Sequence, residues 1–211
     1  IKTEDSRIKL LNKYKINYVA WGKTESNQNY SWVDLDNKGA VQTITKYLIK
    51  KNHKNISYIN ISEKYNFANE RKKGFLECLK LNKIKFNKNY YRSIKLEEPG
   101  KSFEIITNML SENKNITAII CSTEFSALSA IKACNNLNYE IGKDISIITF
   151  DGPLVRDLST PPITAASFPV KELGKKAINI LLDKKKSQDK TINYLAKSYI
   201  IERGSVHFVN L

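Results

Sequence analysis

The sequence has few of the residues on which many enzymes depend: its 211 residues include only three cysteines, eight glycines, five prolines and two histidines. The cysteines are an odd number without metal-ligand spacing, which argues against a disulfide framework or a zinc module and favours a reducing, cytoplasmic location. So few glycines argue against glycine-rich phosphate-binding loops. Two histidines far apart form neither a metal site nor a catalytic triad. We therefore expect no enzymatic activity and no cofactor.

Long hydrophobic runs are also absent. No apolar stretch approaches the roughly 18 residues of a membrane-spanning helix, so we expect no membrane partner. With 41% hydrophobic residues, the chain can nevertheless build a folded core of one or two domains. The sequence begins at Ile1 without a methionine or a signal peptide, and we expect it to be a piece of a longer protein.

The charge is strongly positive, because 35 lysines and arginines face 21 acidic residues. One interpretation is nucleic-acid binding. The other is coding bias of an AT-rich genome, since the chain is rich in Ile and Asn and only five of its basic residues are arginine, the residue that reads bases. The small share of arginine favours coding bias.

Short β-branched runs alternate with helical periodicity along the whole chain. Three nearly continuous apolar runs are typical of strands buried on both faces, at 55–61, 116–121 and 145–150. Four weaker strand candidates lie at 17–20, 90–94, 163–168 and 198–202. Helix starts are predicted at Asp36-Asn37, Pro99, Ser122 or Thr123, and Pro169, and the apolar stripe of Phe75, Cys78 and Leu79 predicts a further helix. This alternation predicts an α/β fold with parallel sheets.

Ligands of open parallel sheets bind where the strands end. The residues that follow the predicted strands combine a carboxylate, a guanidinium, hydroxyls and aromatic rings, a mixture that suits a neutral polyhydroxylated ligand. The candidates for ligand binding are Asp151, Arg71, Tyr65, Phe67, Thr123, Phe168 and Glu97.

Each candidate also has a structural interpretation. Asp151 could cap the Asp-Gly-Pro turn, and Arg71 could pair on the surface with Glu70 or Glu63. The aromatic candidates could be loop anchors, and Thr123 a helix cap. His53 is expected to be a solvated residue at a helix end.

Several segments resemble the lac-repressor (LacI/GalR-type) transcriptional regulators. They occur in the family's order from about residue 16 to 206, and the most recognisable is G-K-D-I-S-I-I-T-F-D-G at 142–152. The others are D-L-D-N followed by K-N-H-K-N-I-S-Y-I at 51–59, F-A-N-E-R-K-K-G-F at 67–75, I-T-A-I-I-C-S at 116–122, P-P-I-T at 161–164, and E-R-G-S at 202–205.

The resemblance implies a periplasmic-binding-protein-like fold of type I, with two Rossmann-like lobes and an effector between them. By the family's pattern, residues 1–35 and 167–195 would be the remnant of an incomplete N-terminal lobe, and 36–166 and 196–206 the C-terminal lobe. The helix-turn-helix domain and the first strands of the N-terminal lobe would be absent. The resemblance also places the seven candidate residues at positions that line the effector cleft, although Thr123-Glu124 stands where many members have Asn-Asp.

The resemblance implies the effector-binding and dimerisation domain of a transcriptional regulator. Its partners would be a small molecule, expected to be a sugar, a second copy of the chain, and operator DNA contacted through the absent N-terminal domain. The alternative is a periplasmic sugar-binding protein of a transporter, which has the same fold. The missing signal peptide, the unpaired cysteines and the R-G-S ending favour the regulator.

Overall fold

The computed structural model describes residues 1–25, 29–184 and 191–210. Nine strands are described, namely β1 Ala20–Trp21, β2 Trp32–Leu35, β3 Ile56–Ile61, β4 Tyr91–Ile94, β5 Ala118–Cys121, β6 Ser146–Phe150, β7 Thr164–Ser167, β8 Asn193–Ala196 and β9 Tyr199–Ile201. The α-helices of the same ranges are α1 Ser6–Lys13, α2 Asn37–Lys50, α3 Asn66–Leu81, α4 Ser102–Glu112, α5 Glu124–Asn136, α6 Pro153–Asp157 and α7 Val170–Lys184.

The strands form two sheets. The larger has the order β4-β3-β5-β6-β7-β9, and all neighbours are parallel except β7 and β9. The smaller has the order β1-β2-β8 and is parallel. The predicted α/β fold with mostly parallel sheets is confirmed.

Helices cover both faces of the larger sheet, which explains the continuous apolar runs of β3, β5 and β6. On one face, α2 and α3 pack Ile44, Leu48 and Phe75 against the sheet. On the other face, α4 and α5 contribute Met109 and Cys134. All three cysteines are buried and unpaired.

Helix caps agree with the expectations at two sites. The Asp36 carboxylate accepts a hydrogen bond from the backbone of Gly39 at the start of α2. Thr123 forms a reciprocal capping box with Ser126 at the start of α5. The other two starts are close, because Pro99 opens a 3-10 turn that leads into α4, and α7 begins one residue after Pro169.

Two strands and two helices were not predicted. Strand β2 contains the charged Asp34, which interrupts its apolar run, and β8 lies at a sheet edge with three exposed residues. Helix α1 is mostly polar and buries only Ile8, while α6 has five residues and is too short to show a period.

His53 is fully buried, so the prediction of a solvated histidine is wrong. Its Nδ1 lies 2.9 Å from Thr117 Oγ1, and its Nε2 lies 3.0 Å from Ser146 Oγ and 3.1 Å from the carbonyl oxygen of His207. Ser146 Oγ also contacts His207 Nδ1. Burial lowers the pKa of His53 to about 4. These contacts attach the C-terminal segment to the edge of the larger sheet where its parallel strands begin.

The chain passes between the two sheets three times, at residues 35–37, 167–170 and 196–199. These connections are neighbours. The backbone nitrogen of Asp36 donates to the carbonyl oxygen of Ala196 at 2.8 Å. Ser167 pairs with Tyr199 between β7 and β9. No helix in the described ranges is long and apolar enough to cross a membrane.

Candidate functional site

A cavity of about 270 Å³ opens between the smaller sheet and the first turns of α3. It lies where β1 and β2 end, as expected for a ligand site of parallel sheets. The lining comes from the smaller sheet and the residues after β1, from α2 and α3, and from the first residue of the chain: Ile1, Trp21, Gly22, Lys23, Asp34, Leu35, Asn37, Phe67 and Arg71.

Arg71 is the best-fixed polar group of this cavity. Although Arg71 is only 6% exposed, its guanidinium has no carboxylate partner within residues 1–25, 29–184 and 191–210. Its Nε donates to Asn37 Oδ1 and its Nη1 to the carbonyl oxygen of Ser122, both at 2.9 Å. The guanidinium lies 3.5 Å from the ring centroid of Phe150. Burial lowers the pKa of Arg71 to about 10, so the group stays charged at neutral pH. The Phe67 ring centroid lies 5.0 Å from the guanidinium as well, so two ring contacts and two hydrogen bonds hold a cation at the cavity wall.

Asp34 places a carboxylate in the same cavity. It is 6% exposed and accepts hydrogen bonds from the backbone nitrogens of Lys23 and Leu35, at 3.1 and 2.8 Å. Asn37 Nδ2 lies 3.4 Å from it, and the oxygen of that amide accepts from Arg71. Burial raises the pKa of Asp34. A carboxylate and a guanidinium are thus joined through one amide, which makes the wall polar with nearly balanced charge.

The segment 1–25 contacts α3 directly beside this cavity. Asn66 Nδ2 donates to the carbonyl oxygen of Lys23 at 2.8 Å, and Lys23 Nζ pairs with Glu70 at 3.1 Å. The other amide atom, Asn66 Oδ1, is buried without a hydrogen-bond partner in the described ranges. A second ion pair joins Lys73 to Glu25.

A second cavity, of about 280 Å³, lies at the ends of β3, β4 and β5. Its lining is mainly apolar and includes Ile61, Ile94, Leu96 and Phe125, together with Thr123. Beneath it, Ser122 Oγ is bonded to both Tyr58 Oη and Asn60 Oδ1 at 2.8 Å.

Asp151 lies at the end of β6, but its carboxylate is already engaged. One oxygen accepts from Arg203 Nη2 at 2.8 Å, and the other accepts from Ser167 Oγ at 3.1 Å. The paired side chains are only 14% and 12% exposed. The carboxylate does not cap the following turn, because the backbone nitrogen of Leu154 donates to Glu124 instead. The alternative that Asp151 caps the Asp-Gly-Pro turn is therefore wrong.

The other aromatic and acidic candidates lie around these groups. Phe168 stacks in parallel on Phe150, with ring centroids 6.3 Å apart, and Phe150 in turn contacts Arg71. Tyr65 Oη donates to Glu97 Oε1 at 3.1 Å in an exposed loop, where Lys64 also pairs with that carboxylate. The lysine hydrogen bond lowers the pKa of Glu97 to about 2.

Of the seven predicted residues, Phe67 and Arg71 line the first cavity and Thr123 the second. The alternative of a surface pair for Arg71 is wrong, because Glu70 pairs with Lys23 and Glu63 with Lys72. The sequence reasoning missed several lining residues of the first cavity: Trp21, Lys23, Asp34 and Asn37. Asp34 is a charged residue inside the otherwise apolar segment W-V-D-L, and this could have indicated that it lines a site.

The described ranges contain no group of three or more His, Cys, Asp or Glu side chains that could hold a metal ion. The first cavity thus provides hydrogen-bond donors and acceptors, two aromatic rings, a carboxylate and a guanidinium, and the lining residues named above include no Ser, Thr, Cys or His.

Residues 45–206 match the family described as periplasmic binding protein-like domain. The chain is 31% identical over 216 aligned positions to the transcriptional repressor PurR of Actinobacillus pleuropneumoniae, covering 99% of this chain and 62% of that protein. It is 30% identical to the regulator AglR of Rhizobium meliloti, covering 73% and 43%. The chain thus spans about half the length of the curated relatives it matches.

Solved structures show the same fold. A regulatory protein of the LacI family from Chloroflexus aggregans superposes with a TM-score of 0.88 at 26% identity, covering 98% of this chain and 74% of that chain. The regulator CelR in complex with cellobiose gives a TM-score of 0.89 at 18% identity, covering 97% and 63%.

Proposed function

Because the chain belongs to the family of periplasmic-binding-protein-like domains, in its branch of LacI-type regulators, we propose that it is the effector-binding part of a transcriptional regulator. The effector would bind in the cavity between the smaller sheet and α3. In this proposal, residues 1–35 and 167–195 act as one lobe, and residues 36–166 and 196–206 act as the other.

The observation that carries the proposal is the buried guanidinium of Arg71 at the cavity wall, which has no carboxylate partner among the described residues. A charged group is kept in such a place only if its hydrogen bonds are satisfied. Among the same residues Nε and Nη1 have partners and Nη2 has none, which leaves the Nη2 donors for a ligand. Asp34 supplies acceptors, and the rings of Trp21 and Phe67 supply flat apolar surface. This combination fits the hydroxyls and the C–H face of a sugar.

Two structural neighbours are described with sugars, CelR with cellobiose and an Enterococcus faecium regulator with ribose. They support a sugar as the class of effector. We propose that Asp151, Tyr65, Thr123, Phe168 and Glu97 border the same cleft.

The relatives favour a regulator over a transporter's binding protein, since the curated relatives are named as transcriptional regulators or repressors. They are also a non-enzymatic family, in agreement with the expectation from the sequence. We further propose a cytoplasmic homodimer that contacts operator DNA through a helix-turn-helix domain outside this sequence. A dimer would place two such domains on a palindromic site.

The test is a thermal-shift screen of the chain against mono- and disaccharides, followed by calorimetric titration of each hit with the protein and with Arg71→Lys. We expect at least one sugar to bind, and the lysine variant to lose about tenfold or more in affinity, because lysine cannot supply the planar donors. A sugar that binds both proteins equally would contradict the proposed site. Stabilisation by nucleobases alone would contradict the sugar class.

A further inference from the structure

Two adjoining cavities lie at the opposite edge of the larger sheet from the effector cleft, where β3 and β4 begin. Their volumes are about 450 and 430 Å³, and both are lined by Lys54, Asn55 and Lys85. The loop before β3 forms one side, and the segment between α3 and β4 forms the other. Pockets of this size accommodate small organic ligands.

The lining is unusually basic. Lys54, Lys83, Lys85 and Lys88 are all exposed and contribute to these cavities. The sequence has no Asp or Glu at 37–62 or at 78–96, so both sides of the cavities lack acidic residues.

The four cavity lysines have no acidic partner in the ranges that the structure describes. Nine other lysines form ion pairs in the described ranges: Lys23, Lys38, Lys51, Lys64, Lys72, Lys73, Lys95, Lys101 and Lys143. None of the four cavity lysines appears in any ion pair of the same ranges. Other exposed lysines, such as Lys171 and Lys175, are also without an ion pair there, so what marks these four is that they surround two adjoining cavities without an acidic residue among the lining. Clustered like charges repel one another unless an anion joins them.

The remaining lining adds specificity beyond charge. Asn55 and Asn87 place amide groups between the lysines. Phe86, 38% exposed, is held by edge contacts with Phe75 and Tyr91 at centroid distances of 6.4 and 6.3 Å. An aromatic ring fixed beside several ammonium groups can stack on a planar base while the lysines bind phosphates.

We propose that these cavities form a second ligand site, which binds a nucleoside polyphosphate. The phosphates contact Lys54, Lys85 and their neighbours, and the base packs on Phe86. The site is separate from the effector cleft, so its occupancy does not depend on the sugar proposal.

The test is calorimetric titration of the chain with ATP and with inorganic tripolyphosphate at 150 mM salt. We compare the protein with Lys54→Gln/Lys85→Gln and with the matched double variant Lys171→Gln/Lys175→Gln on α7, which removes the same charge from exposed positions elsewhere. We expect the first variant to bind ATP at least about tenfold more weakly and the control within about twofold. Phe86→Ala should weaken ATP but leave tripolyphosphate unchanged.

Several outcomes would overturn the proposal. Equal losses in the two double variants would mean that ATP responds only to net charge. No binding of ATP at 1 mM would remove the site. An unchanged ATP affinity in Phe86→Ala would remove the nucleotide assignment. Tighter binding of a duplex DNA or an acidic peptide, lost in the same lysine variant, would replace the small ligand by a macromolecule.

Discussion

The substitution Asp151→Asn gives the sharpest test of the end of β6. It keeps the shape of the side chain and removes the negative charge opposite Arg203. The Arg203 guanidinium donates to Asp151 at 2.8 Å and also to the carbonyl oxygen of Ile163. Both members of the pair are less than 15% exposed. The arginine therefore remains in place with its main counter-charge gone.

The expected loss follows from the type of bond. A hydrogen bond between charged groups contributes about 1.5–3 kcal/mol and one between a charged and a neutral group less, so the variant should lose about 1–2 kcal/mol of unfolding free energy. For a chain of this size, about 1 kcal/mol corresponds to about 2–4 °C in melting temperature. We expect the melting temperature to fall by about 2–8 °C.

The assay is a melting curve and a urea titration of Asp151→Asn, Arg203→Gln and the double variant. The two side chains are in contact, so the double variant should lose less than the sum of the single losses. Asp157→Asn is the matched control, because Asp157 pairs with Arg156 on the surface with both side chains more than half exposed. Its melting temperature should stay within about 1 °C of the unmodified protein.

The reasoning would be refuted if Asp151→Asn melted like the control and the two single losses were additive. If Asp151 also binds the effector, affinity in the same variant should fall by about tenfold or more. Calorimetric titration with a sugar from the screen measures that second quantity separately from stability.

Three further predictions concern other parts of the chain. Arg71→Lys should lower the unfolding free energy by about 2–4 kcal/mol in urea, because the buried charge loses two hydrogen bonds and its stacking; a loss below about 1 kcal/mol would contradict the geometry. Gly142→Ala should cost about 2 kcal/mol or more, because φ is +85° and an added Cβ would lie 2.3 Å from the Gly204 carbonyl oxygen, whereas Gly100→Ala meets nothing within 4 Å and should be neutral. Burial keeps His53 neutral in the fold, with its pKa lowered to about 4, so its contribution is complete above pH 6.5 and is lost as the pH falls towards 4. We expect about 2 kcal/mol less stability at pH 5 than at pH 7, and equal slopes in the protein and in His53→Gln would exclude this cause.

Most of the fold could be predicted from the sequence because strands that are buried on both faces consist almost entirely of apolar residues. Strands β3, β5 and β6 are apolar along almost their whole length, and no competing period obscures them. Strand β2 was missed because Asp34, which lines the first cavity, interrupts its apolar run. The small β8 carries little hydrophobic signal because it lies at an edge.

The site was only partly predictable. Arg71 and Phe67 could be found because they follow the strongest strand within a few residues. The partner of Asp151 could not, since Arg203 lies 52 residues further along the chain and is brought in by the antiparallel pairing of β7 and β9. His53 shows the same limit. Its partners Thr117, Ser146 and His207 come from three distant segments. The residues next to His53 in the sequence do not reveal these partners, and the local pattern therefore predicted a solvated side chain.

The three connections between the sheets also restrict how the molecule can move. A single connection would leave the two halves free to swivel and twist, and two separated ones would act as a pair of pivots. Here residues 35–37, 167–170 and 196–199 lie side by side, tied by the bond from Asp36 to Ala196 and by the pairing of Ser167 with Tyr199. Such a bundle should resist stretching and shear more than bending about a single axis, so we expect the proposed cleft to open and close mainly by a change in one angle. In the proposed regulator, a ligand that contacts both sides would set that angle, and a domain joined to the smaller sheet would move along one defined arc.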